Sequence, residues 1–266
     1  MPTTTSNAGS SLHWDEAGSG TPLLLVMGAA YSSAMWYPAI PALSARHRVI
    51  WFDNRGTGQS AATRVASIAD MAQDALAVLD AAGVERAHLY GVSLGGVVAQ
   101  ELARLAPERV TSLVLGCTGI LDEHKPRAPK GTNIMFKVPR SWLVKAMARR
   151  GSYGPACPED RRLKDVQVLL AERPDRVALR AQQDALRAYS ISLETVAAFD
   201  IPALVLHGDA DSTVRYAWGQ ELAATLPGAR LVTFEGVGHN FLVGAGDQAN
   251  DEVLAFLGEV DQPAVL

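Results

Sequence analysis

The feature that most constrains this chain is a serine between two glycines, with an apolar run on each side. Residues 89–98 read Leu-Tyr-Gly-Val-Ser-Leu-Gly-Gly-Val-Val, which places a G-x-S-x-G pattern at 91–95. The pattern predicts a sharp turn from a strand into a helix, in which Gly91 and Gly95 let the two backbones approach closely. Ser93 at the apex is expected in a strained, left-handed conformation that pushes its hydroxyl into a cleft. A hydroxyl held this way suits attack on a carbonyl carbon, although G-x-S-x-G also occurs in turns without chemistry.

Apolar strand patterns and helical patterns alternate on both sides of this turn. The predicted strands cover 11–16, 23–27, 47–52, 87–90, 110–115, 203–207 and 229–234. The predicted helices cover 37–45, 68–82, 94–106, 216–226 and 249–260. Runs such as 23–27 are apolar without interruption, which is typical of strands that are buried on both faces. The sequence therefore predicts an α/β fold with a doubly wound, mostly parallel sheet.

The alternation breaks between 121 and 199, where no buried strand pattern is found and several prolines occur. Helical patterns at 142–150, 164–172 and 176–198 dominate this part. We interpret 121–199 as a helical cap inserted between two strands, and 1–120 together with 200–266 as the α/β core.

Composition excludes several classes of partner. The chain has 266 residues, a net charge of -4 and no basic stripe, so neither nucleic acid nor an anionic membrane is an expected partner. No apolar run is long enough to span a bilayer, and the first residues do not form a signal peptide. Two cysteines, Cys117 and Cys157, cannot build a disulfide framework or a metal site, and Cys117 is interpreted as a small buried hydrophobe. We expect a cytoplasmic protein, with its oligomeric state left open.

A serine hydroxyl needs a base within hydrogen-bond reach, and the base needs an orienting acid. Two loops that follow Ser93 carry these groups, each just beyond the carboxyl end of a predicted strand. The first loop contains Asp209 and Asp211, which compete for the role of the acid. Of the six histidines, only His239 lies in a glycine-bounded loop late in the chain, whereas His207 precedes the acid loop and is interpreted as structural.

These motifs, in this order, resemble the α/β-hydrolase superfamily over nearly the full length of the chain. The matching segments are 53–60, 91–95, 207–211 and 236–239. The resemblance implies that Ser93 is the nucleophile, Asp211 the acid and His239 the base, because the family's acid loop reads G-x-x-D. Asp209 is then a loop-structuring residue. Segment 53–60 lacks the Lys-Ser/Thr end of a phosphate-binding loop, and we interpret it as a turn ordered by Asp53 and Arg55.

The same resemblance implies an oxyanion hole made by the backbone N–H groups of Leu94 and Ala29. Relatives usually carry His-Gly-x where this chain reads Met27-Gly28-Ala29. The donor is a backbone group, so the methionine leaves it in place but removes a histidine that often braces the loop. Polyketide methylesterases are similar here.

The sequence thus predicts a serine hydrolase that cleaves a small, largely apolar carboxylic ester or lactone through an acyl-enzyme, with no cofactor and no metal. Phe136, Trp142 and Tyr189 are candidates for the wall of a substrate pocket, although each is also consistent with packing inside the cap. The motifs also resemble enol-lactonases and cofactor-free haloperoxidases or perhydrolases. The alternatives are a C–C bond hydrolase or perhydrolase with the same triad, and a ligand sensor without turnover on the same fold.

Overall fold

A computed structural model describes residues 2–5, 9, 11–61, 67–125, 152–171 and 176–262. The described residues form an eight-stranded sheet in the order β1-β2-β4-β3-β5-β6-β7-β8. Its strands are β1 (Thr3–Thr5), β2 (Ser11–Ala17), β3 (Pro22–Val26), β4 (Arg48–Phe52), β5 (Ala87–Val92), β6 (Val110–Gly116), β7 (Ala203–Gly208) and β8 (Arg230–Phe234). β2 is antiparallel to β1 and β4, and the remaining neighbours pair in parallel. The mostly parallel α/β sheet predicted from the sequence is confirmed.

Helices connect the parallel strands and cover both faces of the sheet. They are α1 (Ile40–Leu43), α2 (Ile68–Ala81), α3 (Leu94–Leu105), α4 (Glu159–Ala171), α5 (Arg176–Ala188), α6 (Leu193–Ala197), α7 (Tyr216–Thr225), α8 (Phe241–Gly244) and α9 (Gly246–Asp261). The long helix predicted over 176–198 is wrong, since it is divided into α5 and α6. Ser192 begins the second helix as its N-cap, with a side chain that accepts a hydrogen bond from the backbone N–H of Thr195 at 3.2 Å.

The two faces of the sheet explain the uninterrupted apolar runs. Alternate residues of β3 point to opposite sides, with Leu24 in a cluster that contains α2 and α3, and Leu23 in a cluster that contains α9. Both side chains are fully buried. Burying one leucine contributes about 1.5–3 kcal/mol, so a strand buried on both faces favours apolar residues at most of its positions.

The carboxyl ends of β3, β5, β7 and β8 lie at one edge of the sheet, because these strands are parallel. The loop 27–31, the turn at Ser93, the loop 209–215 and the loop 235–240 therefore meet there. Between β6 and β7 the described residues include α4, α5 and α6, and the division into core and cap remains a prediction. The helix predicted at 142–150 lies outside the described residues.

Within the described ranges, no helix combines the length and the apolar character needed to cross a bilayer.

Candidate active site

Ser93 occupies the turn between β5 and α3 with φ 53° and ψ -118°. The positive φ agrees with the expected strain, but this ψ lies outside the left-handed helical region and corresponds to the first central residue of a type II′ turn. Such a conformation costs on the order of 1–3 kcal/mol for a residue with a side chain. The backbone of Ser93 is held by its N–H, which donates to Gly116 at 2.8 Å, and by its carbonyl, which accepts from the Thr118 hydroxyl at 2.9 Å.

The two glycines of the pattern make this turn possible. A Cβ on Gly91 would collide with the carbonyl oxygen of Gly95, and a Cβ on Gly95 would collide with the carbonyl oxygen of Val26. The predicted close approach of backbones is therefore confirmed. It packs the amino end of α3 against the end of β3, where the loop 27–31 begins.

Asp211 and His239 are brought together from two different loops. The Nδ1 atom of His239 lies 2.7 Å from Oδ2 of Asp211, whose side chain is fully buried. Oδ1 of Asp211 accepts hydrogen bonds from the backbone N–H groups of Thr213 at 2.7 Å and Val214 at 2.9 Å. A carboxylate can only accept, so Nδ1 of His239 carries the proton, and in the neutral imidazole Nε2 is the acceptor.

His207 is a further member of this group that sequence reasoning did not connect with the acid. Its Nε2 donates to the carbonyl of Val214 at 3.1 Å and lies 3.3 Å from Oδ2 of Asp211. The ring is fully buried at the end of β7. The spacing of four residues between His207 and Asp211 does not by itself predict this contact, because the loop must first fold back on its strand.

Burial and the neighbouring groups shift two pKa values in opposite directions. Burial alone would raise the pKa of the Asp211 carboxyl, but the hydrogen bonds from His207 and His239 outweigh it and lower the pKa well below the usual range. Burial would lower the pKa of His239, but the adjacent Cys117 side chain and the Asp211 carboxylate outweigh it and raise the pKa. Asp211 therefore remains ionised beside an imidazole that is more basic than usual.

Asp209 has a different place in the same loop. Its side chain is exposed and its Oδ1 accepts a hydrogen bond from the backbone N–H of Gly236 at 2.7 Å. This contact joins the acid loop to the start of the loop that carries His239. It agrees with the loop-structuring role expected for Asp209.

Ser93 lies in the walls of two cavities. The first, of about 220 Å³, is also lined by His239, Cys117 and Asp165. The second, of about 520 Å³, is also lined by Leu94 and other residues of the core and of α5. Ala29 borders both cavities. Ser93 and Ala29 are therefore shared by the two cavities, whereas His239 lines only the first and Leu94 only the second.

Two side chains hold the loop 27–31 in place of the histidine that relatives usually carry. The amide of Asn54 donates to the carbonyl of Met27 at 2.8 Å. From α5, Oε1 of Gln182 accepts from the N–H of Ala30 at 3.0 Å, and Nε2 of Gln182 donates to the carbonyl of Arg55 at 3.2 Å. Ala30 has a φ of 73°, so this contact stabilises a strained backbone next to Ala29. Neither of these two contacts was predicted from the sequence.

The loop that carries His239 is fastened by the segment 152–156. The N–H of Gly238 donates to the carbonyl of Tyr153 at 2.9 Å, and the N–H of Asn240 donates to the carbonyl of Ser152 at 2.7 Å. These bonds enclose His239 between two fixed backbone positions. The segment belongs to the predicted cap, so this part of the chain contacts the loop 235–240, as α5 contacts the loop 27–31.

The candidate pocket residues have different outcomes. Phe136 and Trp142 lie outside the described residues. Tyr189 is not brought to Ser93, because it follows the end of α5 and its hydroxyl donates to Glu101 at 2.9 Å in a separate surface cavity. The residues of α5 that line the cavities beside Ser93 instead follow the i, i+4, i+7, i+8 spacing of one helix face: Leu179, Gln183, Leu186 and Arg187.

The turn at 53–60 agrees with its structural interpretation. Both oxygens of Asp53 accept backbone hydrogen bonds, from Ser33 and Gln59 at 2.8 Å each. Arg55 is buried and makes two hydrogen bonds of 2.6 Å to the carboxylate of Asp74. In the part of the chain that the structure describes, no group of three or more His, Cys, Asp or Glu side chains is arranged to hold a metal ion.

The chain is similar to known proteins over nearly its whole length. Residues 21–141 match the family described as the alpha/beta hydrolase fold, and residues 182–265 match the family described as TAP-like protein. "Putative carbamate hydrolase RutD" of Azorhizobium caulinodans is 32% identical over 94% of this chain and 96% of its own length.

Solved structures show the same architecture. A hydrolase from Pseudomonas aeruginosa superposes with a TM-score of 0.82 at 28% identity, covering 97% of this chain and 98% of the other. Est816, described as an N-acyl homoserine lactone degrading enzyme, superposes with a TM-score of 0.79 at 25% identity, covering 96% of this chain and 100% of the other.

Proposed function

Because the chain belongs to the α/β-hydrolase family of enzymes, we propose that it cleaves a small carboxylic ester or lactone with Ser93 as the nucleophile. One observation carries this proposal. The 2.7 Å contact between His239 and Asp211 lies at the wall of the cavity that also contains Ser93 on its strained turn. Acyl transfer from a carbonyl requires a nucleophile, a base and an acid that orients the base, and these positions support that assignment.

The chemistry follows from the protonation of these groups. Ser93 Oγ attacks the carbonyl carbon while His239 Nε2 accepts its proton, and Asp211 stabilises the imidazolium that forms. The N–H groups of Ala29 and Leu94 donate to the oxyanion. His239 then gives the proton to the leaving alkoxide, which departs as an alcohol or remains attached when the substrate is a lactone. Water, activated by His239, releases the acid and restores Ser93.

We further propose that 121–199 acts as a cap that selects the substrate. The residues Leu179, Gln183 and Leu186 of α5 line the cavities beside Ser93, which supports this role. The lactone class is supported by the description of Est816. C–C bond hydrolysis and perhydrolysis use the same triad and remain alternatives that differ in the pocket.

A carbamate is the second candidate substrate, favoured by the description of the relative that is 32% identical. Attack by Ser93 on a carbamate carbonyl forms the same tetrahedral intermediate, and His239 protonates an amine as it leaves. The two candidates differ in the leaving group and share every residue named above.

The test compares the wild type, Ser93→Ala and the control Ser19→Ala, in which an exposed serine before β3 is changed. Each protein is assayed for hydrolysis of an aryl ester, a lactone and an aryl carbamate. Each is also treated with a small phosphonate probe, and mass spectrometry measures the covalent labelling. We expect Ser93→Ala to lower kcat by about a thousandfold or more and to abolish labelling, because the triad acts as a unit.

Near-normal turnover by Ser93→Ala would refute the mechanism. Saturable binding of these compounds with no turnover by the wild type would instead support the ligand-sensor alternative. The ratio of kcat/KM values among the three substrates decides between ester, lactone and carbamate.

A further inference from the structure

A buried carboxylate lines the smaller cavity beside Ser93, and the proposed chemistry does not use it. Asp165 lies in the middle of α4 and is completely buried, yet it borders the same 220 Å³ cavity as Ser93 and His239. Burial raises the pKa of this carboxyl, although the neighbouring side chains of Tyr153, Tyr37 and Asn240 act in the opposite direction. A carboxylate in such a place destabilises the fold unless its oxygens are hydrogen-bonded.

The known partners of Asp165 converge on one of its two oxygens. The hydroxyl of Tyr153 donates to Oδ2 at 2.8 Å, and the side-chain amide of Asn240 donates to Oδ2 at 3.5 Å. The Tyr37 hydroxyl also approaches the carboxyl, but it does not meet Oδ1 in hydrogen-bonding geometry. Among the residues that the structure describes, Oδ1 is buried without any hydrogen-bond partner.

The arginines of the same helix are engaged elsewhere. Arg161 pairs with Asp247 at 2.6 Å, and Arg162 lies 3.4 Å from Glu159. A purely structural anchor for Tyr153 requires only one acceptor oxygen, which an asparagine supplies without a buried charge. The second oxygen of Asp165 is therefore unexplained by the packing of α4.

We propose that Asp165 is a specificity-determining residue, whose Oδ1 accepts a hydrogen bond from an O–H or N–H group of the substrate in the 220 Å³ cavity. This inference rests on the proposed function, and it adds a polar hydrogen to the largely apolar substrate expected from the sequence. The substrate class becomes an ester, lactone or carbamate that carries a hydroxyl, amide or ammonium group on the part that occupies this cavity. A site built to accept a hydrogen bond discriminates strongly against an analogue that lacks the donor, because the buried acceptor is then left unpaired.

The experiment uses esters that differ only at one end. On the alcohol side they are pentyl acetate, 4-hydroxybutyl acetate and 4-methoxybutyl acetate. These end in a methyl group, a hydrogen-bond donor and a hydrogen-bond acceptor, respectively. On the acyl side they are methyl hexanoate and methyl 5-hydroxypentanoate. Initial rates of acid release give kcat/KM, and we expect the wild type to favour the hydroxyl member of at least one pair by on the order of 10- to 100-fold.

Asp165→Asn is the informative variant. Its amide oxygen must stay opposite the Tyr153 hydroxyl, so the amide NH2 takes the place of Oδ1 and turns an acceptor into a donor. The preference for the hydroxyl ester should fall by about tenfold or more. Asp160→Asn, which changes an exposed carboxylate near the start of the same helix, is the matched control and should leave the preference unchanged. If Asp165 only anchored Tyr153, the substitution would lower kcat/KM for all the esters by one common factor.

Binding provides a readout that does not depend on turnover. Dissociation constants of the same esters are measured by calorimetry with Ser93→Ala and with Ser93→Ala/Asp165→Asn. The inference would be overturned if the methyl-ended and hydroxyl-ended esters had equal affinity and equal kcat/KM on both the alcohol side and the acyl side. A preference for the methoxy ester would also overturn it. A hydroxyl preference in binding that disappears in the double variant would uphold it, even if the phosphonate failed to label Ser93 and the proposed function were rejected.

Discussion

Replacing Asp211 by asparagine should force His239 into the wrong tautomer. The reason lies in the hydrogen bonds that the Asp211 carboxylate accepts. The Oδ1 position accepts two backbone N–H groups, from Thr213 and Val214, so an asparagine must place its carbonyl oxygen there. The amide NH2 then takes the Oδ2 position, 2.7 Å from Nδ1 of His239. Since that NH2 group donates, Nδ1 must accept, and the imidazole proton moves to Nε2. The atom that should take the proton from Ser93 is then already protonated.

The same position is also adjacent to His207, whose Nε2 must carry a proton because it donates to a carbonyl. The amide NH2 therefore meets a second donor in this orientation, which is an unfavourable contact added to the loss of the correct tautomer. The expected loss of kcat is on the order of 10⁴, by analogy with the same change in a serine protease triad. At about 1.36 kcal/mol for each factor of ten, this corresponds to roughly 5 kcal/mol of lost transition-state stabilisation.

The assay is single-turnover and steady-state hydrolysis of an aryl ester by Asp211→Asn and by the control Asp209→Asn. Asp209 lies two residues away, and an asparagine there keeps an oxygen for the N–H of Gly236. The control should therefore retain activity within about fivefold of wild type, as expected for an exposed substitution. Thermal melts confirm that both variants are folded. A larger loss in Asp209→Asn, or a loss of less than tenfold in Asp211→Asn, would refute this reasoning.

Three further predictions concern the base, the turn and the cap. Because His239 must be neutral to act and its pKa is raised, kcat/KM should increase with pH and level off above a midpoint higher than the ordinary value of about 6.5, whereas a steady fall between pH 5 and 8 would contradict a histidine base. Gly95→Ala should lower the free energy of unfolding by roughly 1–3 kcal/mol or more, since its Cβ meets a carbonyl oxygen, while Gly258→Ala in an exposed part of α9 with free space should raise it by roughly 0.5–1 kcal/mol; equal effects in chemical denaturation would disprove the packing argument. Gln182→Ala should slow phosphonate labelling of the nucleophile by about tenfold because it frees the oxyanion loop, while Leu179→Ala should mainly shift the preference among acyl chain lengths; identical labelling in the two variants would contradict a bracing role.

The sheet was predictable because its signals are local. The run at 23–27 is apolar without interruption, and the strand it forms is fully buried on both faces of the sheet. Boundaries were less predictable, since the position of Ser192 as an N-cap depends on one hydrogen bond that a helical pattern over 176–198 conceals. The strand β1 was missed, because three threonines carry no alternation of polar and apolar residues to identify it.

The candidate site was likewise predictable only where its signals are local. The motifs around Ser93, Asp211 and His239 follow directly on strands, so their meeting at one edge of the sheet follows from parallel topology. Contacts made by single polar side chains across long stretches of chain had no such signal. Gln182 reaches Ala30 from α5, 152 positions along the chain, and no local pattern marks a glutamine as the acceptor for a particular N–H. Tyr189 was selected for its aromatic ring, but its position after the end of α5 and its bond to Glu101 hold it in another cavity.

These long-range contacts change how the cap and the chemistry relate. The sequence predicted the catalytic groups in the loops of the sheet and the candidate residues of the substrate pocket in the insertion. In the structure, α5 supplies the acceptor that holds Ala30 in the loop 27–31, and the carbonyls of Ser152 and Tyr153 hold the loop of His239. Both segments belong to the predicted insertion. Tyr153 in turn binds Asp165, which borders the substrate cavity. A ligand that engages Asp165 is therefore two contacts away from the backbone that positions the base. We therefore expect substrate recognition at Asp165 and the position of His239 to be coupled, because Tyr153 contacts both Asp165 and the loop that carries His239.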